Sequence, residues 1–135
     1  MTKCDLERIR ESAKRINQKK LELEALRYKA SGAGAIRYDK DRVQTTPQNY
    51  MEMAIADVIE IEKQIEEEEA KVEVQLGKAY SAVRKMEQPD QRAVIEWYYL
   101  NGLSMIDTAG MLNMSERNAY YLREDAIEAF VLVKL

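Results

Sequence analysis

Residues 105–124 read MIDTAGMLNMSERNAYYLRE, and the division of this stretch decides the fold. Ser104 precedes it as a good helix N-cap, and Ser115 inside it is a second. Asn113 tolerates the left-handed conformation that a tight turn between helices needs. The stretch therefore predicts two helices, 105–112 and 115 to about 131, joined by a short turn. Two helices this close need a small residue where they meet, and Ala109 supplies it. Thr108, Leu112, Met114, Ala119 and Leu122 take the positions that lock the pair, with Thr108 the weak entry. The pattern is that of a helix-turn-helix; a plain helical hairpin is its bland counterpart.

Upstream, residues 92–100 predict another helix, with Val94, Ile95, Trp97, Tyr98 and Tyr99 giving heavy aromatic burial. Asn101-Gly102 ends it, Gly being suited to the left-handed cap. Pro89 either ends the preceding helix or starts this one, and Asp90 favours a helix start. Trp97, Tyr99, Ala109 and Leu122 are expected in the core.

The N-terminal two thirds read differently. Leu6, Ile9, Ala13, Ile16, Leu23 and Ala30 follow the spacing of one helix face over residues 3–30, with Lys20 and Arg27 interrupting it and Leu21 and Leu26 widening it. Ser31-Gly32-Ala33-Gly34 stops that helix, and a polar loop over about 31–48 ends near Pro47. A second helix, about 48–87, carries a seam of Met51, Ala54, Val58, Ile61, Ile65, Val72, Leu76, Ala79, Val83 and Met86. Its length would be roughly 60 Å at 1.5 Å per residue. Such a stripe needs cover, and the first helix folded back is the natural cover. The near-heptad period suits coiled-coil pairing, and two hairpins could form a four-helix bundle. Glu66 to Glu69 point around the helix axis and read as a solvated face.

The predicted architecture is all-α. A long antiparallel, coiled-coil-like helical hairpin spans 1–88, and a small helix-turn-helix domain spans 89–135. No strand-like alternation is evident.

Composition bounds the function. The 135 residues hold 21 Lys and Arg against 24 Asp and Glu, for a net charge of −3. With no His, neither a His-containing zinc site nor a His-based catalytic set can form. Cys4 is the single cysteine, so no intramolecular disulfide can close, which suits a reducing compartment. No apolar run reaches the ~18–20 residues of a membrane span, and the N-terminus lacks a signal-peptide apolar region. The expectation is a cytoplasmic protein without cofactor or metal, not an enzyme and not bound to membrane. The charge is graded: residues 1–42 carry +5, residues 43–88 carry −5 and residues 89–135 carry −3.

The run Gln91 to Ser104, continued from Met105 to Phe130, resembles region four of bacterial sigma factors. Ala109, Leu112, Ser115, Ala119, Leu122 and Ala126 fall where that family keeps its helix contacts. The whole chain is similar to the RinA/ArpU-like group of phage regulators, in which a long helical hairpin joins a sigma region-four-like module. The loop segment Arg37 to Pro47 looks like a signature of that group. The resemblance implies a phage or prophage protein controlling late-gene transcription in a bacterial host. The chain departs from the sigma pattern at Asn113, where Gly is usual. It departs again on the second helix, where Tyr120 and Tyr121 replace basic residues and Glu116, Glu124 and Asp125 add negative charge.

In a helix-turn-helix the start of the second helix lies in the DNA major groove. Ser115, Arg117, Asn118 and Tyr121 would stand near bases or phosphates, Arg suiting guanine and Asn adenine. Tyr120 and Arg123 extend the surface, although at least one of the two tyrosines is expected to pack on the hairpin instead. Arg92 and Ser104 are candidates for phosphate. Arg37, Lys40, Arg42 and Gln44 on the loop could track a nucleic-acid backbone. Phosphate neutralisation dominates DNA affinity, so the acidic C-terminal segment predicts weak binding by one copy. Homo-oligomerisation through the hairpin, the basic first helix or RNA polymerase would supply the deficit. Two alternatives belong to other classes: a small-terminase-like packaging or assembly protein, and a polymerase-docking adaptor that does not touch DNA.

Overall fold

The computed structural model describes residues 1–30 and 47–134. It is all-α, with no strand among the described residues. α1 spans Lys3–Ala30, α2 Pro47–Arg84, α3 Pro89–Val94, α4 Met105–Met111 and α5 Glu116–Val131. α3 runs directly into a π-helical turn, Ile95–Leu100.

α1 begins where local chemistry can cap it. Thr2 Oγ1 accepts from the Asp5 amide at 3.4 Å, and the Asp5 carboxylate accepts from the Thr2 amide at 2.9 Å. That reciprocal pair satisfies donors the first turn leaves open. The Thr2 amide hydrogen bond is the main reason the Asp5 carboxyl sits below its ordinary value.

Compactness divides the described residues into two units, one of residues 1–15 with 69–135 and one of residues 16–68. The expected division at residue 88 follows chain order; the compact units do not. The start of α1 and the end of α2 belong with the C-terminal helices.

In the unit of residues 16–68, Lys19 donates to Gln64 at 2.9 Å and Arg27 pairs with Glu62 at 3.4 Å. The partners run in opposite order along the two helices, as an antiparallel hairpin requires. Ile16 and Leu23 of α1 and Ala54 and Ile65 of α2 are buried. Leu21 does not widen the stripe: it is 67% exposed, while Leu26 is half-buried. At 100° per residue Leu21 falls away from the line through Ile16 and Leu23, whereas Leu26 stays beside it.

In the unit of residues 1–15 with 69–135, the core gathers Leu6, Ile9, Val83, Val94, Ile95 and Phe130, each at most 1% exposed. Burying each such side chain is worth roughly 1.5–3 kcal/mol. α2 ends at Arg84, not near 87, and the chain turns through Lys85 and Met86. Met86 is still buried, so the apolar seam outlasts the helix. Pro89 starts α3 at its first turn, where its missing N–H costs nothing. Trp97 and Leu122 are half-buried, not core, while Tyr99 and Ala109 are buried as expected.

The π-helical turn was not legible in the sequence. The Asn101 amide reaches back five residues to the Glu96 carbonyl at 2.9 Å. The Leu103 amide reaches back six, to Trp97 at 3.1 Å. Gly102 closes the turn at φ +74°. A Cβ there would stand 3.1 Å from Ala13 Cβ and 3.2 Å from the Lys14 amide nitrogen. Glycine thus serves two needs at once, a left-handed backbone and a close approach to α1.

Candidate nucleic-acid interface

The α4–α5 pair is built from three local devices. Ser104 Oγ accepts from the Asp107 amide at 3.1 Å and starts α4. At the other end Asn113 has φ +56°. Its amide donates to Gly110 at 3.2 Å, and the Met114 amide donates to Ala109 at 3.0 Å. Those two bonds with a left-handed residue between them are a Schellman closure. Asn fills the place usually taken by Gly, which its short polar side chain permits. Ser115 Oγ then accepts from the Asn118 amide at 3.2 Å and starts α5.

Met114 joins the two helices. It packs against the cluster of Met105, Ala109 and Ala119, as does Tyr98. Met114 thus meets Ala109 behind it and Ala119 ahead of it, the apolar contacts that accompany a Schellman end and a helix start. Thr108 is fully buried, and its hydroxyl donates to the Ser104 carbonyl at 2.8 Å. The polar entry in the apolar pattern is therefore satisfied within its own helix.

α5 buries Ala119, Ala126, Ile127 and Phe130. The opposite face starts with Glu116, Arg117, Asn118, Tyr120 and Tyr121, all exposed. Arg117 Nε donates to the Tyr121 hydroxyl at 3.4 Å, and its guanidinium carbon lies 5.8 Å from that ring. The Arg–Tyr pair stands at the surface one turn apart on the helix. Tyr120 and Tyr121 are 43% and 59% exposed, so neither is in the core; Tyr121 stands on the side opposite Ala119 and Ala126 and Tyr120 on the flank.

The other candidates have different employment. Arg123 is not an open surface cation. It donates to the Tyr98 hydroxyl at 3.2 Å and to Glu124 at 3.1 Å. It also lies 5.1 Å from the Tyr120 ring centroid. Burial works against its charge, and the Glu124 hydrogen bond together with Tyr99 and Tyr98 outweighs it, holding it above the ordinary arginine value. Arg92 Nη1 donates to the Met86 carbonyl at 2.8 Å and ties the start of α3 to the turn after α2. Ser104 and Ser115 are exposed but use their oxygens as caps. Arg37, Lys40, Arg42 and Gln44 lie outside the described residues.

Arg10 and Tyr98 acquire a role that sequence reasoning missed. Arg10 Nη2 donates to the Leu103 carbonyl at 3.1 Å across 93 residues of sequence. Its guanidinium carbon is 4.0 Å from the Tyr98 ring centroid, and that of Arg123 is 5.2 Å from the same centroid. Tyr98 meets Tyr99 edge to face at 4.8 Å. Burial pushes the Tyr99 hydroxyl up to about 12. Nothing local marks Arg10, which looks like any basic residue flanking a helix seam.

Among the described residues no three His, Cys, Asp or Glu side chains gather in a way that could hold a metal. No described helix is long and apolar enough to cross a membrane. Comparison with protein-family models, with curated proteins and with solved structures finds no match.

Proposed function

We propose that the chain is a phage or prophage transcriptional regulator that reads promoter DNA with the first two turns of α5. One observation carries this reading: Arg117, Asn118 and Tyr121 stand exposed just inside a helix start fixed by Ser115 and by the Asn113 turn. That is the part of a helix-turn-helix that enters the major groove. Arg117 offers two donors to a guanine edge, Asn118 a donor and acceptor to an adenine edge. The likeness to RinA/ArpU-like regulators and to sigma region four adds late-gene control, activation in a bacterial cytoplasm and self-association through the hairpin. Arg123 and Arg92 brace the unit and are not base readers in this proposal. The protein performs no catalysis in this reading.

A second reading has its own support. Glu116, Glu124, Asp125 and Glu128 are exposed on α5, and that acidity favours docking on a basic surface such as one of RNA polymerase.

The test is selection of duplexes from a random pool by the purified protein, followed by affinity measurement with the Arg117→Ala/Asn118→Ala variant. Each bidentate base contact is worth about 1–3 kcal/mol, so the variant should bind the selected duplex at least about tenfold more weakly. Failure to enrich any sequence, or equal binding by the variant, removes the DNA-reading assignment. Recovery of RNA polymerase on the immobilised protein after nuclease treatment would then support the docking reading.

A further inference from the structure

An open cleft of about 340 Å³ lies between the first turns of α1 and the C-terminal helices of the same compact unit. Lys3, Arg10 and Lys14 line it from α1, Tyr98 from the π-helical turn and Arg123 from α5. Residues 3, 10 and 14 are spaced by seven and four, so they share one helix face. Glu7 and Glu11 line the same wall.

The charge in this cleft is unevenly spent. Arg123 is balanced by Glu124. Arg10 is partly buried and holds only a backbone carbonyl and the Tyr98 ring, with its Nε buried and without a hydrogen-bond partner. An arginine cannot relieve such burial by losing its proton. Lys3 and Lys14 are exposed and make no hydrogen bond or ion pair with described residues. Gly102 allows α1 to approach closely enough for Arg10 to reach Leu103, so the cationic row is held by the packing of the unit. Four cations (Lys3, Arg10, Lys14 and Arg123) line the cleft against the carboxylates of Glu7 and Glu11, so positive charge is in excess, and the partly desolvated Arg10 guanidinium beside two ammonium groups makes an anion subsite.

We propose that this cleft takes a phosphodiester of the duplex whose bases α5 reads, with Lys3, Arg10 and Lys14 as the phosphate-binding groups. The inference rests on the DNA-reading proposal for α5. Arg123 at the cleft lies six residues from Arg117 on the same helix, about 9 Å along its axis and roughly a third of a turn around it, so the cleft flanks the base-reading turns and does not share their face. The arrangement supplies from α1 the positive charge that α5 lacks.

The test uses the full chain and the Lys3→Ala/Lys14→Ala variant. These two lysines are chosen because neither has a partner to lose; circular dichroism checks that helix content is unchanged. Binding is measured by fluorescence anisotropy to a mixed-sequence duplex of about 30 base pairs and to the selected duplex, between 50 and 200 mM salt. Each phosphate contact contributes about −0.9 to the slope of log K against log salt. The variant should show a slope shallower by about 2 and about tenfold weaker binding at low salt on both duplexes. Unchanged slope and affinity, with selected-duplex binding still lost in Arg117→Ala/Asn118→Ala, overturns the cleft and leaves the α5 reading standing. A wild-type protein that binds neither duplex at low salt overturns both.

Discussion

Arg10 stacks its guanidinium on the ring of Tyr98 at 4.0 Å, joining the first turns of the chain to a residue 88 positions later. A desolvated cation–π contact of this kind is worth about 2 kcal/mol, and the bond from Arg10 to the Leu103 carbonyl adds about 1 kcal/mol. Arg10→Ala should therefore destabilise the unit by about 2–3 kcal/mol, read as a lower midpoint in urea unfolding. Arg10→Lys, which keeps charge but loses the planar fork, should fall between. Equal stability of Arg10→Ala and wild type would show the stack to be idle.

Gly102→Ala meets two obstacles. A left-handed backbone costs a residue with Cβ roughly 1–2 kcal/mol, and the new methyl would lie 3.2 Å from the Lys14 amide nitrogen, which cannot swing away. The expected loss is about 2–4 kcal/mol by the same unfolding measurement. A loss under 1 kcal/mol would mean that α1 can retreat without harm.

Asn113 offers the opposite case. Its Schellman position at φ +56° favours glycine, and the residue is exposed. Asn113→Gly should change stability by less than about 0.5 kcal/mol, whereas Asn113→Val should cost about 1–2 kcal/mol. Thermal unfolding of the pair distinguishes them, and equal melting temperatures would refute the cap assignment.

Tyr99 predicts an alkaline limit. Its hydroxyl titrates at about 12 in the folded chain against an ordinary 10.0. Because the folded value is raised, the stability tied to this proton is complete below pH 10 and is lost as the pH climbs towards 12. Since Tyr99 lines an open cleft and its charge would be partly screened, the contribution is at most about 2 kcal/mol. Absorbance of tyrosinate followed upward in pH should show one late, cooperative step coincident with loss of helix, and Tyr99→Phe should remove that step. Early titration of every tyrosine, with helix intact, would contradict the burial.

The turn chemistry was readable because it is local. Ser104, Ser115 and Asn113 each act on a backbone group within a few residues, and Gly102 supplies its own left-handed turn, so their spacing alone locates the helix ends. The apolar seams were readable too, from Leu6 to Leu23 and from Ala54 to Met86, since burial follows helical period. What could not be read is the fate of side chains whose neighbours come from distant sequence. Arg123 looked like a DNA contact because nothing near it announces Tyr98 as its partner. Arg92 looked available because the Met86 carbonyl became reachable only when α2 ended early. Aromatic content alone puts Trp97 in the core, but residues 95–100 form a wider π-helical turn, in which an α-helical face count no longer applies, and Trp97 is half-buried. Arg10 carried no signal at all, since its partners lie 88 and 93 positions away.

The placement of residues 1–15 in the same unit as residues 69–135 sets an order on folding during synthesis. Ribosomes add about 5–20 residues per second, so Arg10 emerges several seconds before Tyr98 and Leu103 exist to receive it. Through that interval Leu6 and Ile9 have no core to enter. The start of the first helix is therefore among the last segments to find its final neighbours, and a nascent chain stalled before residue 98 would still expose the apolar face of its own beginning.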